Sequence, residues 1–314
     1  MPFYLAIDAG GTKTSCLLAD HARILARAST GTVKLMRVSE AEATDRLTAM
    51  LHQIAAEAKV SLSQVTCTCM GLAGLSSNAV RNWALTVLER TVSGDILLCG
   101  DEEIALDASF AGGPGVLLIA GTGSNCIGRA PDGVLVSAGG WGPVLGDEGS
   151  GFWIGLEAIR MALHQQDRLA PGESPSILLS QVQQHWALPS LGALIAVANL
   201  RAASETSVPP DFAALAPIVA RCADQGDALA AEVLHRAGRE LAALVALVAN
   251  KLAAANPKPG TSNLAIAFTG SVLSHIAPVR AAMVANLALH LPNAQVQPHP
   301  VDPLDGALWR ARHA

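Results

Sequence analysis

The sequence predicts an α/β protein made of two halves with similar element order. Three observations carry that prediction. Short apolar runs alternate with longer stretches of helical periodicity, the pattern of layered α/β folds. The leading run of each half, Phe3 to Ile7 and Val116 to Ala120, feeds a loop rich in glycine and hydroxyl residues. Finally, the first half reads strand, strand, strand, helix, strand, helix, strand, helix, and the second half opens with three strands in the same way. The repeat is one of element order, not of residue identity.

In chain order, Phe3 to Ile7 is a strand ending at the polar loop Asp8-Ala9-Gly10-Gly11-Thr12-Lys13-Thr14. Ser15 to Ala19 and Ile24 to Ala28 are two more strands, separated by a turn at Asp20 to Arg23. Ser39 to Lys59 is helical, with Ser39 as cap and Glu42 three residues on as a capping box. Val65 to Met70 is a strand followed by Gly71-Leu72-Ala73-Gly74, and Asn78 to Arg90 is a helix. Ile96 to Cys99 is a strand ending at Gly100-Asp101, and Glu102 to Phe110 is a short helix. Ala111 to Gly115, rich in glycine with one proline, marks a junction, which sets domains at 1–113 and 114–314, with the last helix packing back on the first domain.

The second half begins with the strand Val116 to Ala120, bounded by glycine on both sides. Gly121-Thr122-Gly123-Ser124-Asn125 interrupts it. Cys126 to Ala130 and Val134 to Ala138 resume strand character around the turn Pro131-Asp132-Gly133. Gly139-Gly140-Trp141-Gly142 and Gly146-Asp147-Glu148-Gly149 follow, with a helix starting near Ser150. Asp211 to Ala223 is helical, Asp227 caps the next helix, and Ala228 to Ala255 carries Leu234, Ala237, Leu241, Leu244, Val245, Val248 and Leu252 at core spacing. Leu264 to Phe268 is a strand ending at Thr269-Gly270-Ser271. A helix over Ile276 to Leu291, a strand near Ala294 to Gln297 and a helix from about Asp302 to Arg312 complete the chain.

Composition narrows the function classes. Of 314 residues, 51% are hydrophobic and only 15% charged, which fits a compact globular protein. The net charge of −5 comes without any Lys/Arg cluster, so nucleic acid and anionic membrane are not expected partners. Asp8 interrupts the first apolar run, which argues against a signal peptide, and Leu241 to Ala249 is too short to span a bilayer. The six cysteines, most of them in apolar runs, read as buried reduced thiols of a cytoplasmic protein. The nine histidines show no metal spacing, and no Ser-His-Asp order or GxSxG elbow occurs.

Two polar glycine loops, each at the end of a leading strand, suggest a nucleotide gripped from both halves. Glycines admit close backbone approach, and consecutive amides cradle anions. Neither loop is a Walker A or a GxGxxG element. Asp8, a carboxylate at a strand end beside such amides, is placed to hold magnesium directly or through water. Thr12, Lys13 and Thr14 add donors for phosphate oxygens. Asp101 follows a buried strand at the mouth where α/β sheets bind ligands, so it can take the proton of a substrate hydroxyl attacking a phosphoryl group. Helix capping is a compatible role for Asp101, as it is for Asp147, which could also hold sugar hydroxyls.

Asp8-Ala-Gly-Gly-Thr-Lys-Thr14, Gly121-Thr-Gly-Ser-Asn-Cys126, Gly139-Gly-Trp-Gly142, Gly146-Asp-Glu-Gly-Ser150 and Thr269-Gly-Ser271 together resemble the N-acetylglucosamine kinase family. That family belongs with the BadF/BadG/BcrA/BcrD-type ATPases of the actin-like, sugar kinase and chaperone ATPase clan. The resemblance spans nearly the whole chain. It implies two ribonuclease H-like domains with a cleft between them, ATP and Mg2+ as cofactors, a small-molecule sugar as substrate, and room for a homodimer. It implies further that Asp8, Gly10, Gly11, Thr12, Lys13 and Thr122 serve the ATP phosphates and their magnesium, and that Gly270 and Ser274 lie near the adenosine. Ser124, Asn125, Gly140, Trp141 and Asp147 would contact the sugar, with Asp101 as catalytic base.

One departure stands out. The family places a sugar-binding asparagine after the third strand, and Ser29-Thr-Gly-Thr-Val-Lys-Leu-Met36 has none; Lys34 or Thr32 is the replacement. The expected acceptor is therefore an amino sugar, N-acetylglucosamine first, with glucosamine or N-acetylmuramic acid behind. A second reading is an ATPase that activates a CoA dehydratase or reductase and holds an iron–sulfur cluster through cysteines at a dimer interface. Against it, Cys99 and Cys126 lie in or beside strands. A third is a non-catalytic sugar sensor on the kinase fold, which needs a DNA-binding extension; with the first strand starting at Phe3, no room for one is expected. The cysteine-rich zinc motif of the neighbouring ROK kinases is not visible in the sequence.

Overall fold

The computed structural model describes residues 2–199, 210–255 and 264–314. The chain divides into two compact units, one of Met1–Leu117, Ile127–Leu135 and Val301–Ala314, the other of Leu118–Cys126 and Val136–Pro300.

The first unit is built on β1 (Phe3–Ala9), β2 (Lys13–Ala19), β3 (Ile24–Gly31), α1 (Glu40–Ala58), β4 (Val65–Leu72), α2 (Asn78–Thr91), β5 (Asp95–Cys99) and α3 (Asp101–Phe110). Its sheet has the order β3-β2-β1-β4-β5, antiparallel across β1–β2–β3 and parallel across β1–β4–β5. The period of two sorts β1 onto two faces. Leu5, Ile7 and Ala9 join the core under α1 and α2, while Tyr4 and Ala6 join Ile104 of α3 and Leu304, Ala307 and Leu308 of the C-terminal helix. Both faces are covered, which is why β1 reads as a nearly unbroken apolar run.

The second unit begins within β6 (Gly115–Ala120) and β7 (Ser124–Arg129) and continues with β8 (Leu135–Gly139), α4 (Gly151–Gln166), α5 (Leu178–His185), α6 (Leu191–Ala198), α7 (Ala216–Asp224), α8 (Ala228–Ala255), β9 (Ala265–Thr269), α9 (Ser271–His275), α10 (Ala277–His290) and β10 (Gln295–Val296). Its sheet runs β10-β9-β6-β7-β8. Numbered within each half, both sheets read third, second, first, fourth, fifth strand, so the repeat of element order is a repeat of topology. The last helix, α11 (Pro303–Arg312), belongs to the first unit, where it packs on α3 and β1. Among the described residues no helix is long and apolar enough to cross a membrane.

Several local expectations need correction. The polar loop expected over 8–14 is mostly strand: Asp8 pairs with Ser15 and Ala9 with Thr14, leaving only Gly10–Thr12 as a turn, closed by the Gly10 amide on the Lys13 carbonyl at 3.1 Å. Ser39 caps α1 as expected, but Glu42 does not reach back to complete a box; its carboxylate pairs with Arg46 one turn on. The helix expected from Asp211 starts as a 3₁₀ turn at Phe212–Leu215 before α7, with Pro217 in the first turn of α7, where its missing N–H costs least. Asp227 does cap α8, accepting the Ala230 amide at 2.9 Å.

Candidate functional site

In the first unit the site residues stand at the carboxyl ends of β1 and β5. Asp8 is half-buried on the face that α11 covers. Burial, reinforced by the charge of Asp302 and opposed by Lys13, pushes its carboxyl up to about 6, so the group is ionised at neutral pH. Thr12 on the turn and Lys13 at the start of β2 are exposed, whereas Thr14 is fully buried with its hydroxyl unpartnered among the described residues, so it is not a surface donor. The Thr32 hydroxyl donates to the Gly10 carbonyl at 3.0 Å and accepts the Lys34 amide at 3.1 Å, so Thr32 fastens the glycine turn. Of the two replacements for the missing asparagine, Lys34 is the one whose side chain is not committed among the described residues.

Asp101 is the first helical residue of α3, with Gly100 in the cap position, so the cap role weighed for it falls to Gly100 and to the Glu103 side chain, which accepts the Gly100 amide at 3.3 Å. Asp101 is half-buried at the end of β5, parallel to β4. Its neighbour Glu102 shares a hydrogen bond with it, and burial first, that bond second, hold the Glu102 carboxyl up at about 7. Sequence reasoning passed over Glu102 because an acid in a first helical turn looks like an ordinary dipole contact.

In the second unit two glycine turns meet. A Cβ on Gly121 would stand 3.8 Å from the Ser271 amide and hydroxyl, and one on Gly270 would lie 2.3 Å from the Ala120 carbonyl oxygen. Gly270 has φ +100°, a region open essentially to glycine alone, so this junction of β6 and β9 admits no side chain. The carbonyls of Gly121 and Thr122 accept the first amides of α4, from Gly151 at 2.8 Å and Phe152 at 3.2 Å. The helix terminus thus fastens the loop through its backbone, and the Thr122 side chain is half-buried. Ser274, whose amide bonds the Gly270 carbonyl at 3.0 Å, is half-buried one turn on.

The residues expected to hold the sugar come together in this same unit. The Gly140 amide bonds the Ser124 carbonyl at 2.9 Å, and a Cβ on Gly140 would lie 3.2 Å from the Asn125 side chain. The Ser124 hydroxyl donates to the Glu148 carbonyl at 2.8 Å. Asp147 is buried in a left-handed conformation, its carboxylate 2.8 Å from where a Cβ on Gly123 would stand. It does not cap α4: the Ser150 hydroxyl does, accepting the Trp153 amide at 3.2 Å. The side-chain amide oxygen of Asn125 is buried with no partner among the described residues. Trp141, next in sequence to the Gly140 that packs on Asn125, is 74% exposed. A buried polar atom without a protein partner calls for an explanation, and a polar ligand group is one that the exposed ring nearby in sequence suits.

The chemistry of the donors fits magnesium through Asp8. Magnesium takes one or two carboxylates and keeps several waters. Asp302, which sequence reasoning read only as a helix start, is committed to Arg27 at 3.0 Å and to the Leu304 amide at 3.1 Å. Asp8 is therefore the available oxygen ligand. Among the described residues no group of three or more His, Cys, Asp or Glu is placed as a protein metal cage. All six cysteines are buried and unpaired.

The chain is similar to known proteins along most of its length. A model of the BadF/BadG/BcrA/BcrD ATPase family matches residues 5–308. The chain is 29% identical over 283 residues to the N-acetylmuramic acid/N-acetylglucosamine kinase of Clostridium acetobutylicum, covering 88% of this chain and 87% of that one. It is 27% identical over 318 residues to the N-acetyl-D-glucosamine kinase of Dictyostelium discoideum, covering 97% and 96%. A solved structure from Chromobacterium violaceum, of a protein whose proposed role is N-acetylglucosamine kinase, superposes with a TM-score of 0.72 at 25% identity over 98% of each chain.

Proposed function

We propose, from the premise that this chain belongs to the BadF/BadG/BcrA/BcrD ATPase family, that it is an ATP-dependent kinase of an amino sugar. N-acetylglucosamine stands first, with glucosamine and N-acetylmuramic acid behind it. The observation that carries the reading is the unpartnered Asn125 oxygen, gathered with Ser124, Gly140, Trp141 and Asp147 in one unit. A sugar hydroxyl or amide donates to Asn125, Asp147 accepts from ring hydroxyls, and Trp141 lies against the apolar face of the ring.

Asp101 is the catalytic base: it orients the acceptor hydroxyl and takes its proton as the oxygen attacks phosphorus. Thr12, Lys13 and Thr122 donate to phosphate oxygens, and Gly270 with Ser274 lines the adenosine. Magnesium, held by Asp8, supplies charge neutralisation at the phosphate oxygens when bound. Lys34 takes the place of the asparagine missing after β3. Domains bounded at 1–113 and 114–314 complete the reading.

The test is ADP release with ATP and a panel of hexoses, amino sugars and N-acetylated sugars. Asp101→Asn keeps shape but loses basicity, so turnover should fall roughly 10²–10⁴-fold while nucleotide binding persists. If no amino sugar stimulates ADP release, the kinase assignment is wrong. If Asp101→Asn keeps more than about a tenth of turnover, another residue is the base, and Asp147 is the next to replace.

A further inference from the structure

A cavity of about 290 Å³ opens beside Asp101, lined among others by Leu72, Ser76, Arg81, Gly100, Glu102 and Glu103. It lies at the carboxyl ends of the parallel strands β4 and β5, the edge at which open α/β sheets receive ligands. Its charged groups differ in their commitments. Glu103 accepts the Gly100 amide and pairs with Arg310 at 3.1 Å, so its charge is compensated. Glu102 folds back over Gly100, its carboxyl carbon 3.0 Å from where a Cβ there would stand, and holds its proton up to about pH 7. Arg81, on the first turn of α2, is exposed at the rim and makes no ion pair among the described residues. Arg81 is thus the charged side chain of this lining that has neither an ion pair nor a hydrogen bond among the described residues, while Asp101 and Glu102 share one proton and Glu103 is held by Arg310.

We propose that this cavity is the subsite for an acidic substituent of the amino sugar, with Arg81 as the specificity residue that reads its carboxylate. The inference rests on the kinase reading and extends it to a substrate class. A guanidinium matches a carboxylate with two parallel donors, which an ammonium or a hydroxyl on the sugar cannot exploit. Glu102, while it keeps the proton it shares with Asp101, does not add a second full charge against the same group. Leu72 and Leu75 give the short carbon link to the ring an apolar wall. The volume falls at the small end of ligand pockets, suited to one substituent and not to a polymer.

The experiment uses the full chain, with N-acetylmuramic acid as the acidic probe and N-acetylglucosamine as its neutral counterpart, and reads the ratio of their kcat/KM values. The unmodified protein should turn over both. Arg81→Gln should lower the acidic-to-neutral ratio about tenfold, the low end for a charge-assisted contact because the rim is solvated. Arg81→Glu should lower it further. Turnover of N-acetylglucosamine without N-acetylmuramic acid, or an Arg81→Gln ratio equal to that of the unmodified protein, overturns the subsite and leaves the kinase standing. Turnover of neither sugar, with glucosamine also inert, overturns both.

Discussion

Asp8→Asn should stabilise the protein while disabling it. The carboxyl is half-buried at the end of a central strand, and burial with the charge of Asp302 raises it from 3.8 to about 6. The folded state therefore binds this proton more tightly than the unfolded chain does. Its stabilising contribution is complete below 3.8 and is lost as the pH rises through about 6. Above that, the folded protein carries the full cost of an ionised carboxylate in a poorly solvated place. A shift of about two units corresponds to about 3 kcal/mol at most. An asparagine amide retains part of the polar desolvation cost, so the gain expected at about pH 8 is about 1–3 kcal/mol. The assay is urea unfolding in chelator without nucleotide, across a pH series. The variant's midpoint should exceed that of the parent at high pH, and the two curves should converge as the pH falls toward 4. Magnesium-dependent turnover should collapse in the same variant. A variant that is no more stable at about pH 8, or whose gain is the same at every pH, would refute the reasoning, because only a titrating group gives a pH-dependent difference.

Two further predictions concern packing. Asp107→Asn leaves the guanidinium of Arg129, 2.6 Å away, and that of Arg310 without their shared buried carboxylate, and should cost about 3 kcal/mol or more, read as a fall in the denaturation midpoint; an unchanged midpoint would show the cluster to be idle. Gly270→Ala and Gly11→Ala should separate packing from ligand binding: the first meets the Ala120 carbonyl at 2.3 Å and should lower the melting temperature by several degrees, while the second meets nothing within 4 Å and should weaken nucleotide binding with little change in melting. Equal melting shifts in the two variants would contradict the assignment of Gly11 to the phosphates.

The sequence made most elements legible because their signals are local. Ser39 and Asp227 cap helices as their positions suggest, and the seven-residue stripe of α8 is buried, whereas the cap of α4 is Ser150 and not Asp147. What failed was register. Asp8 and Thr14 are polar, so a reading by polarity makes a loop of them, yet hydrogen bonding to Ser15 and Ala9 carries both strands into the motif. The site shows the same split. Ser124, Asn125, Gly140, Trp141 and Asp147 were named through motifs, but their proximity depends on the β7–β8 hairpin bringing Gly140 onto Ser124, which no spacing rule reports. Asp107, Arg129 and Arg310 meet from 22 and 203 residues apart and have no local signature at all. Arg81 and Glu102 look like any charged residues in a first helical turn until a cavity is seen beside them.

The two sheets share one topology, yet the chemistry is unevenly divided between the units, and α11 explains how. In each half a helix follows the fifth strand. After β5 that helix is α3, with Asp101 in its first turn. After β10 it is α11, capped by Asp302, and it packs in the first unit against α3. The approach is close: a Cβ on Gly306 would lie 1.8 Å from the Ile104 carbonyl oxygen. Arg310 fastens the pair by reaching Glu103 and Asp107 on α3. The first unit thereby gathers Asp8 and Asp101, with Asp302 committed to Arg27 and the cap of α11. The second unit, with no helix of its own after β10, holds the amide, hydroxyl and glycine groups of Ser124, Asn125, Gly140 and Gly270 together with the carboxylate of Asp147. Phosphoryl transfer requires fixed charge and shaped polar contacts, and in this chain the carboxylates of Asp8 and Asp101 stand at strand ends of the first sheet while Ser124 and Asn125 stand on the second.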